Sequence, residues 1–173
     1  MNAIARRRQL LDLISNEDTP VSASSLAKKL DVSRQIIVGD VALLRAQGHE
    51  IIATARGYML IQKLKGENQY LGKVACLHTA KNTKSELYAI VDLEAVVINV
   101  IIAHDLYGEI TGNLNLKTRK DVDHFMGRAK SSEVKLLSEL TQGLHLHTIA
   151  CRDRAHFEQV ARALETGGFL FHD

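Results

Sequence analysis

Near the end of the chain, in "LHLHTIAC" (144–151), His145 and His147 stand two residues apart among Leu, Thr and Ile. Successive side chains of a β-strand point to opposite faces, so in an extended segment these imidazoles share one face. They either line a polar surface stripe or converge on something. Two rings on one strand face can chelate a single metal ion, and the remaining ligands must then come from another segment. The segment from His78 to Glu86 is a natural source: His78 ends an alternating run, and Glu86 follows eight residues later at the start of a helical pattern. Three imidazoles and one carboxylate make a nitrogen-rich set that suits Zn, Ni or Fe better than Mg or Ca, which prefer all-oxygen shells. An H-x-H pair alone is a weak signal, so the surface stripe stays open. A metal with open positions can also activate water, which keeps a metal-dependent enzyme as an alternative.

Other groups in this half lend themselves to chemistry. His104 ends the apolar run "AVVINVIIAH" and is followed by "DLYGEI". With Tyr107 it either lines a pocket or makes a structural hydrogen bond at the strand end. Arg119, beside Lys117 and Lys120, is a candidate partner for a carboxylate ligand. Cys76 shares a strand face with His78, and Cys151 with His147; both read as small buried hydrophobes. His124, His156 and His172 fall on helix surfaces or at the terminus and are left outside any site.

The elements that must position these residues follow from the pattern. A chain of 173 residues permits one large domain or two small ones. Apolar content of 46% and charged content of 24% fit an ordinary globular protein. A net charge of +2 means that any nucleic-acid site must be a local patch. No apolar run approaches the roughly 18 residues of a membrane span. The basic start "MNAIARRRQLLDLIS" lacks a continuous apolar core and reads as an amphipathic helix. Two cysteines make no disulfide framework, which points to the cytoplasm.

Over 1–62 the pattern is helix, helix, turn, helix, hairpin. Ile4, Leu10, Leu11, Leu13 and Ile14 form a stripe over roughly 3–15, and Ser22 and Ser33 are ready N-caps for the second and third helices. The third helix ends near Gly48, and two β-runs, His49–Ala53 and Gly57–Ile61, flank a small turn. This order presents a helix to the DNA major groove. In its first turn stand Arg34 and Gln35, which can read guanine and adenine. Arg56 sits at the hairpin tip, where a wing meets DNA, while Lys28, Lys29, Arg6, Arg7 and Arg8 could contact phosphate. Gly39 inside the third helix costs about 1 kcal/mol relative to Ala. His49 reads as a solvated turn residue. Residues 63–69, "KLKGENQ", read as a linker, and 70–173 as a compact α+β layer structure of strands interleaved with helices.

The phrase "VSRQ…DVALLRAQGHEIIAT…GY" resembles one family of winged helix-turn-helix proteins, the niacin-responsive repressors with a three-histidine (3H) domain. The pieces "LHT" (77–79), "ELYAIVD" (86–92), "HDLYGEITGNLNLKTRKDVDHF" (104–125) and "LSELTQGLHLHT" (137–148) match its second half. The resemblance spans nearly the whole chain. It implies an open-faced α/β sandwich like the phosphocarrier HPr after the winged helix. It implies one divalent metal per subunit, Ni or Zn, held by His78, Glu86, His145 and His147. It also implies a homodimer on operator DNA, with nicotinic acid or a related pyridine carboxylate as co-repressor of genes for NAD synthesis and niacin uptake. A repressor in which the metal itself is the signal remains an alternative.

Overall fold

The computed structural model describes residues 2–63 and 69–172. Residues 64–68 of the expected linker lie outside the described residues. The chain divides into two compact units, Met1–Glu67 and Asn68–Asp173.

In the first unit each helix begins where a side-chain oxygen takes up a free backbone amide. Asn2 caps α1 (Ala3–Ser15), Ser22 caps α2 (Ala23–Lys29) and Ser33 caps α3 (Arg34–Ala46). Their apolar faces close over Leu10, Ile14, Leu26, Leu30, Ile37, Val41 and Leu44. The hairpin of β1 (Ile51–Thr54) and β2 (Gly57–Leu60) follows, starting two residues later than expected from His49. Val21 and Tyr58 exchange backbone hydrogen bonds at 2.9 Å, which fastens the hairpin to the segment before α2. Gly57 permits this approach: its φ is +145°, and a Cβ there would lie 2.3 Å from the Val21 carbonyl oxygen.

The second unit runs β3 (Tyr70–Leu77), α4 (Thr83–Val91), β4 (Val96–His104), β5 (Gly108–Leu116), α5 (Arg119–Ser131), β6 (Leu144–Cys151) and α6 (Arg154–Thr166). The sheet order is β3-β6-β4-β5, antiparallel throughout. On one face of β3 and β6, Gly72 pairs with Ile149, Val74 with His147 and Cys76 with His145. That face carries the helices. Phe157 of α6 lies so close over Gly72 that a Cβ there would sit 2.3 Å from its ring, and α4 packs on β4 and against α5 and α6. The opposite face leaves Leu71, Leu77 and Leu144 exposed, so the sandwich is open on that side. A register shift between Val97 and Asn99 places Asn99 of β4 beside Thr148, whose amide donates to the Asn99 side chain at 3.0 Å.

After α6 the chain returns to the sheet, where Leu170 makes one bridge to Cys76 on the edge of β3. One expectation changes. His156, expected on a helix surface, is 3% exposed. Its Nε2 donates to the Leu93 carbonyl at 2.6 Å and its Nδ1 accepts the Arg152 amide at 3.1 Å, so the ring ties α6 to the α4–β4 turn. His124 and His172 are exposed, as expected.

The Gly72–Phe157 contact sets a packing limit. Gly72→Ala is expected to destabilise the chain by about 1–3 kcal/mol through overpacking. In a Phe157→Ala background the same change is expected to cost much less, a coupling that a double-mutant cycle in urea measures.

Candidate functional site

The strand face that carries His145 and His147 also faces the first turn of α4. Glu86 there is fully buried, and the side chains of His78, His145 and His147 are between 2% and 4% exposed. His78 Nε2 lies 2.7 Å from Glu86 Oε2. His145 Nε2 lies 2.9 Å, and His147 Nε2 3.3 Å, from Glu86 Oε1. All four residues singled out in the sequence as metal ligands therefore meet around one carboxylate.

Each ring is held from behind by the backbone. His78 Nδ1 is 2.9 Å from the Thr79 carbonyl, His145 Nδ1 2.8 Å from that of Gly143, and His147 Nδ1 2.8 Å from that of Asn99. A carbonyl oxygen only accepts, so each Nδ1 carries a proton and donates. Each Nε2 is then either a second N–H on an imidazolium or a bare lone pair aimed at a carboxylate. Three imidazoliums on one carboxylate would repel one another, with neighbouring ring centroids 4.8 and 4.9 Å apart. A cation among the Nε2 atoms and Glu86 relieves the conflict. Consistent with this, His78 Nε2, His147 Nε2 and Glu86 Oε2 are buried without a hydrogen bond of acceptable geometry.

Electrostatics follow the same arrangement. Burial pushes the Glu86 carboxyl up, but the charge of His147 and the approach of His145, His147 and His78 outweigh it and hold the group well below the usual carboxylate range. For His78 burial acts downward, and the Glu86 carboxylate together with the Thr79 carbonyl overcomes it, so the imidazole is raised above its ordinary value.

Cys76 belongs to this cluster more closely than its reading as a small hydrophobe implied. It pairs with His145 across the sheet. Cys76, Glu86 and His145 offer ligand atoms that all lie within 4.8 Å of one another. Burial, then the charge and hydrogen bonding of Glu86, push its thiol pKa far up, so in the metal-free chain it is a neutral thiol. Gly143 is the other residue the sequence reading missed. With φ +98° and the position of its absent Cβ 2.2 Å from the His78 carbonyl oxygen, it lets the turn before β6 close on His78 while its own carbonyl holds His145.

Of the residues expected to line an effector pocket, His104 and Tyr107 meet each other and Arg119 stands apart. His104 and Tyr107 stack on each other at the β4–β5 turn, ring centroids 5.1 Å apart, and His104 Nδ1 accepts the Leu106 amide at 3.2 Å. Tyr107 is 71% exposed. Arg119 stands past the far end of β5, where it forks onto Asp92 at 2.7 and 2.6 Å over the Tyr88 ring. Within the chain the length of β5 separates Arg119 from His104 and Tyr107, and the guanidinium is already engaged by a carboxylate.

In the first unit Arg34 and Gln35 are exposed in the first turn of α3, Lys28 in the last turn of α2, and Arg56 stands in the β1–β2 turn. Arg6 and Arg7 correct an expectation. They turn inward to Asp40, which is 4% exposed, with Arg6 Nε at 2.6 Å and Arg7 Nη1 at 3.5 Å from its oxygens. They neutralise a buried carboxylate of α3 instead of reaching for phosphate. Lys29 pairs loosely with Glu17 at 3.7 Å.

The three-helix unit with its hairpin wing places the chain in the class of helix-turn-helix DNA-binding proteins. Residues 6–59 match an HTH domain and residues 72–173 match the 3H domain, and the chain belongs to the 3H-domain family. It is 40% identical over 169 residues to the transcription repressor NadR of Bacillus subtilis, covering 97% of this chain and 94% of that protein. It is 34% identical over 168 residues to the probable transcription repressor NiaR of Thermotoga maritima, again covering 97% and 94%. Among the described residues no helix is long and apolar enough to cross a membrane.

Removal of one imidazole tests the cluster. His145→Ala and His147→Ala are each expected to fold, by circular dichroism, yet to lose bound divalent metal on desalting. Stoichiometric metal in either variant, measured by mass spectrometry, would remove that residue from the ligand set.

Proposed function

We propose that this chain is a transcription repressor of NAD-related genes that senses nicotinic acid through a metal centre. Its winged helix reads operator DNA with Arg34 and Gln35 at base edges, and with Lys28 and Arg56 on the backbone or in the minor groove. Its 3H unit holds one divalent transition metal, Ni or Zn, through His78, Glu86, His145 and His147. The observation that carries this reading is the set of backbone-fixed imidazoles whose Nε2 atoms converge on one buried carboxylate. The kinship with proteins named NadR and NiaR supports the repressor role.

A metal so held supplies open coordination positions for the carboxylate or the ring nitrogen of a pyridine carboxylate. The chain's own residues orient the donors and exclude water behind them: Thr79, Gly143 and Asn99 fix the rings, and Glu86 balances charge in the dry interior. The ligand changes DNA affinity only by binding one arrangement of a homodimer better than another. The relevant variable is the spacing of two recognition helices against half-sites about 34–36 Å apart.

Fluorescence anisotropy of DNA from upstream of the chain's own gene tests the effector. With metal-loaded protein, nicotinic acid is expected to tighten binding, and a chelator to abolish the response. Binding that follows added metal and ignores the acid would favour the metal itself as signal. Arg34→Ala is expected to weaken specific binding by roughly 1–3 kcal/mol per half-site. An unchanged affinity and footprint would reject Arg34 as a base-reading residue.

A further inference from the structure

The middle of the solvent side of α3 carries no charge. Gln35, Gly39, Ala42 and Ala46 face outward, flanked by Ile36 and Leu43 on one side and by Arg34 and Arg45 on the other. Ile36 is 40% exposed and Leu43 50% exposed, on a face that a surface helix ordinarily gives to polar residues. Gly39 is equally unexplained by the fold. Beyond its chain neighbours and the backbone of its own helix, no described atom lies within 4 Å of where its Cβ would be, and its backbone needs no positive φ. Alanine would fit there and strengthen the helix.

A helix lying in the major groove accounts for both features. The thymine 5-methyl group is the apolar contact that base edges offer in that groove, and apolar side chains meet it. Phosphate, by contrast, calls for Lys or Arg, which the side of Ile36 and Leu43 lacks. A residue without a side chain lets the helix backbone approach another surface more closely than alanine allows. Ile36 and Gly39 are three residues apart, on one face of the helix and next to Gln35.

We propose that Ile36 reads a thymine methyl group in the operator and that Gly39, one turn on, marks the closest approach of α3 to the DNA. The inference rests on the DNA-binding reading above. It makes these two positions, with no charge of their own, determinants of sequence preference.

The full-length chain can be used to enrich duplexes from a random pool, with and without nickel and nicotinic acid. The enriched duplex is then remade with deoxyuridine for thymine, which removes only the methyl groups. The wild-type chain is expected to bind the uracil duplex about tenfold more weakly. Ile36→Ala is expected to bind the two duplexes alike. Gly39→Ala is expected to unfold at a higher temperature yet bind the enriched duplex about tenfold more weakly. Equal wild-type affinity for both duplexes, or full thymine preference in Ile36→Ala, overturns the role of Ile36. Gly39→Ala binding as tightly as wild type overturns that of Gly39. A pool with no enriched sequence overturns the DNA-binding reading itself, and this inference with it.

Discussion

A carboxylate with no exposed surface is costly unless it is matched, and Glu86 is such a group. Its match comes from imidazoles on two other segments, His78 after β3 and His145 and His147 on β6. That requirement sits on the topology. β6 must insert between β3 and β4 so that the H-x-H face lies in the middle of the sheet, under the first turn of α4. The two neighbours then serve the rings: Cys76 of β3 pairs with His145, and Asn99 of β4 offers its carbonyl to His147. The register shift at Val97–Asn99 is part of the same arrangement, because it aligns Asn99 with the strand that carries the imidazoles.

The DNA-binding unit solves a similar problem differently. Asp40 is buried on α3 and is met by Arg6 and Arg7 of α1. Guanidinium groups keep contact with water while their forks reach a carboxylate, so this pair stands at the edge of the core. It binds the recognition helix to α1 by charge as well as by the apolar contacts of Leu10, Ile14, Ile37 and Val41. Two of the arginines in "ARRRQ" therefore hold the reading helix in place.

Much of this was legible in the chain because it is local. The three caps Asn2, Ser22 and Ser33 precede their helices directly, although only the two serines are evident before the fold is known. The shared face of His145 and His147 follows from strand alternation alone. The pattern alone makes the segment from His78 to Glu86 a source of companions, while a surface stripe stays open; likeness to a family is what selects those two residues. What could not be read depends on contacts between distant segments. The nearness of Cys76 follows from cross-strand register, and the burial of His156 from the approach of the α4–β4 turn. The separation of Arg119 from His104 and Tyr107 follows from the length of β5, which places near neighbours in sequence at opposite ends of a strand.

The hydrogen bond between Glu86 and His145 joins residues 59 positions apart. No stretch shorter than the one from His78 to His147 contains the whole cluster, because β6 completes the sheet only after β4, β5 and α5 have been laid down. Closing so long a loop is among the slower and more demanding steps of folding. The convergence of these rings on Glu86 is thus a property of the completed domain alone. A chain that has mispaired β6 does not bring His145 and His147 to Glu86 and His78 at all.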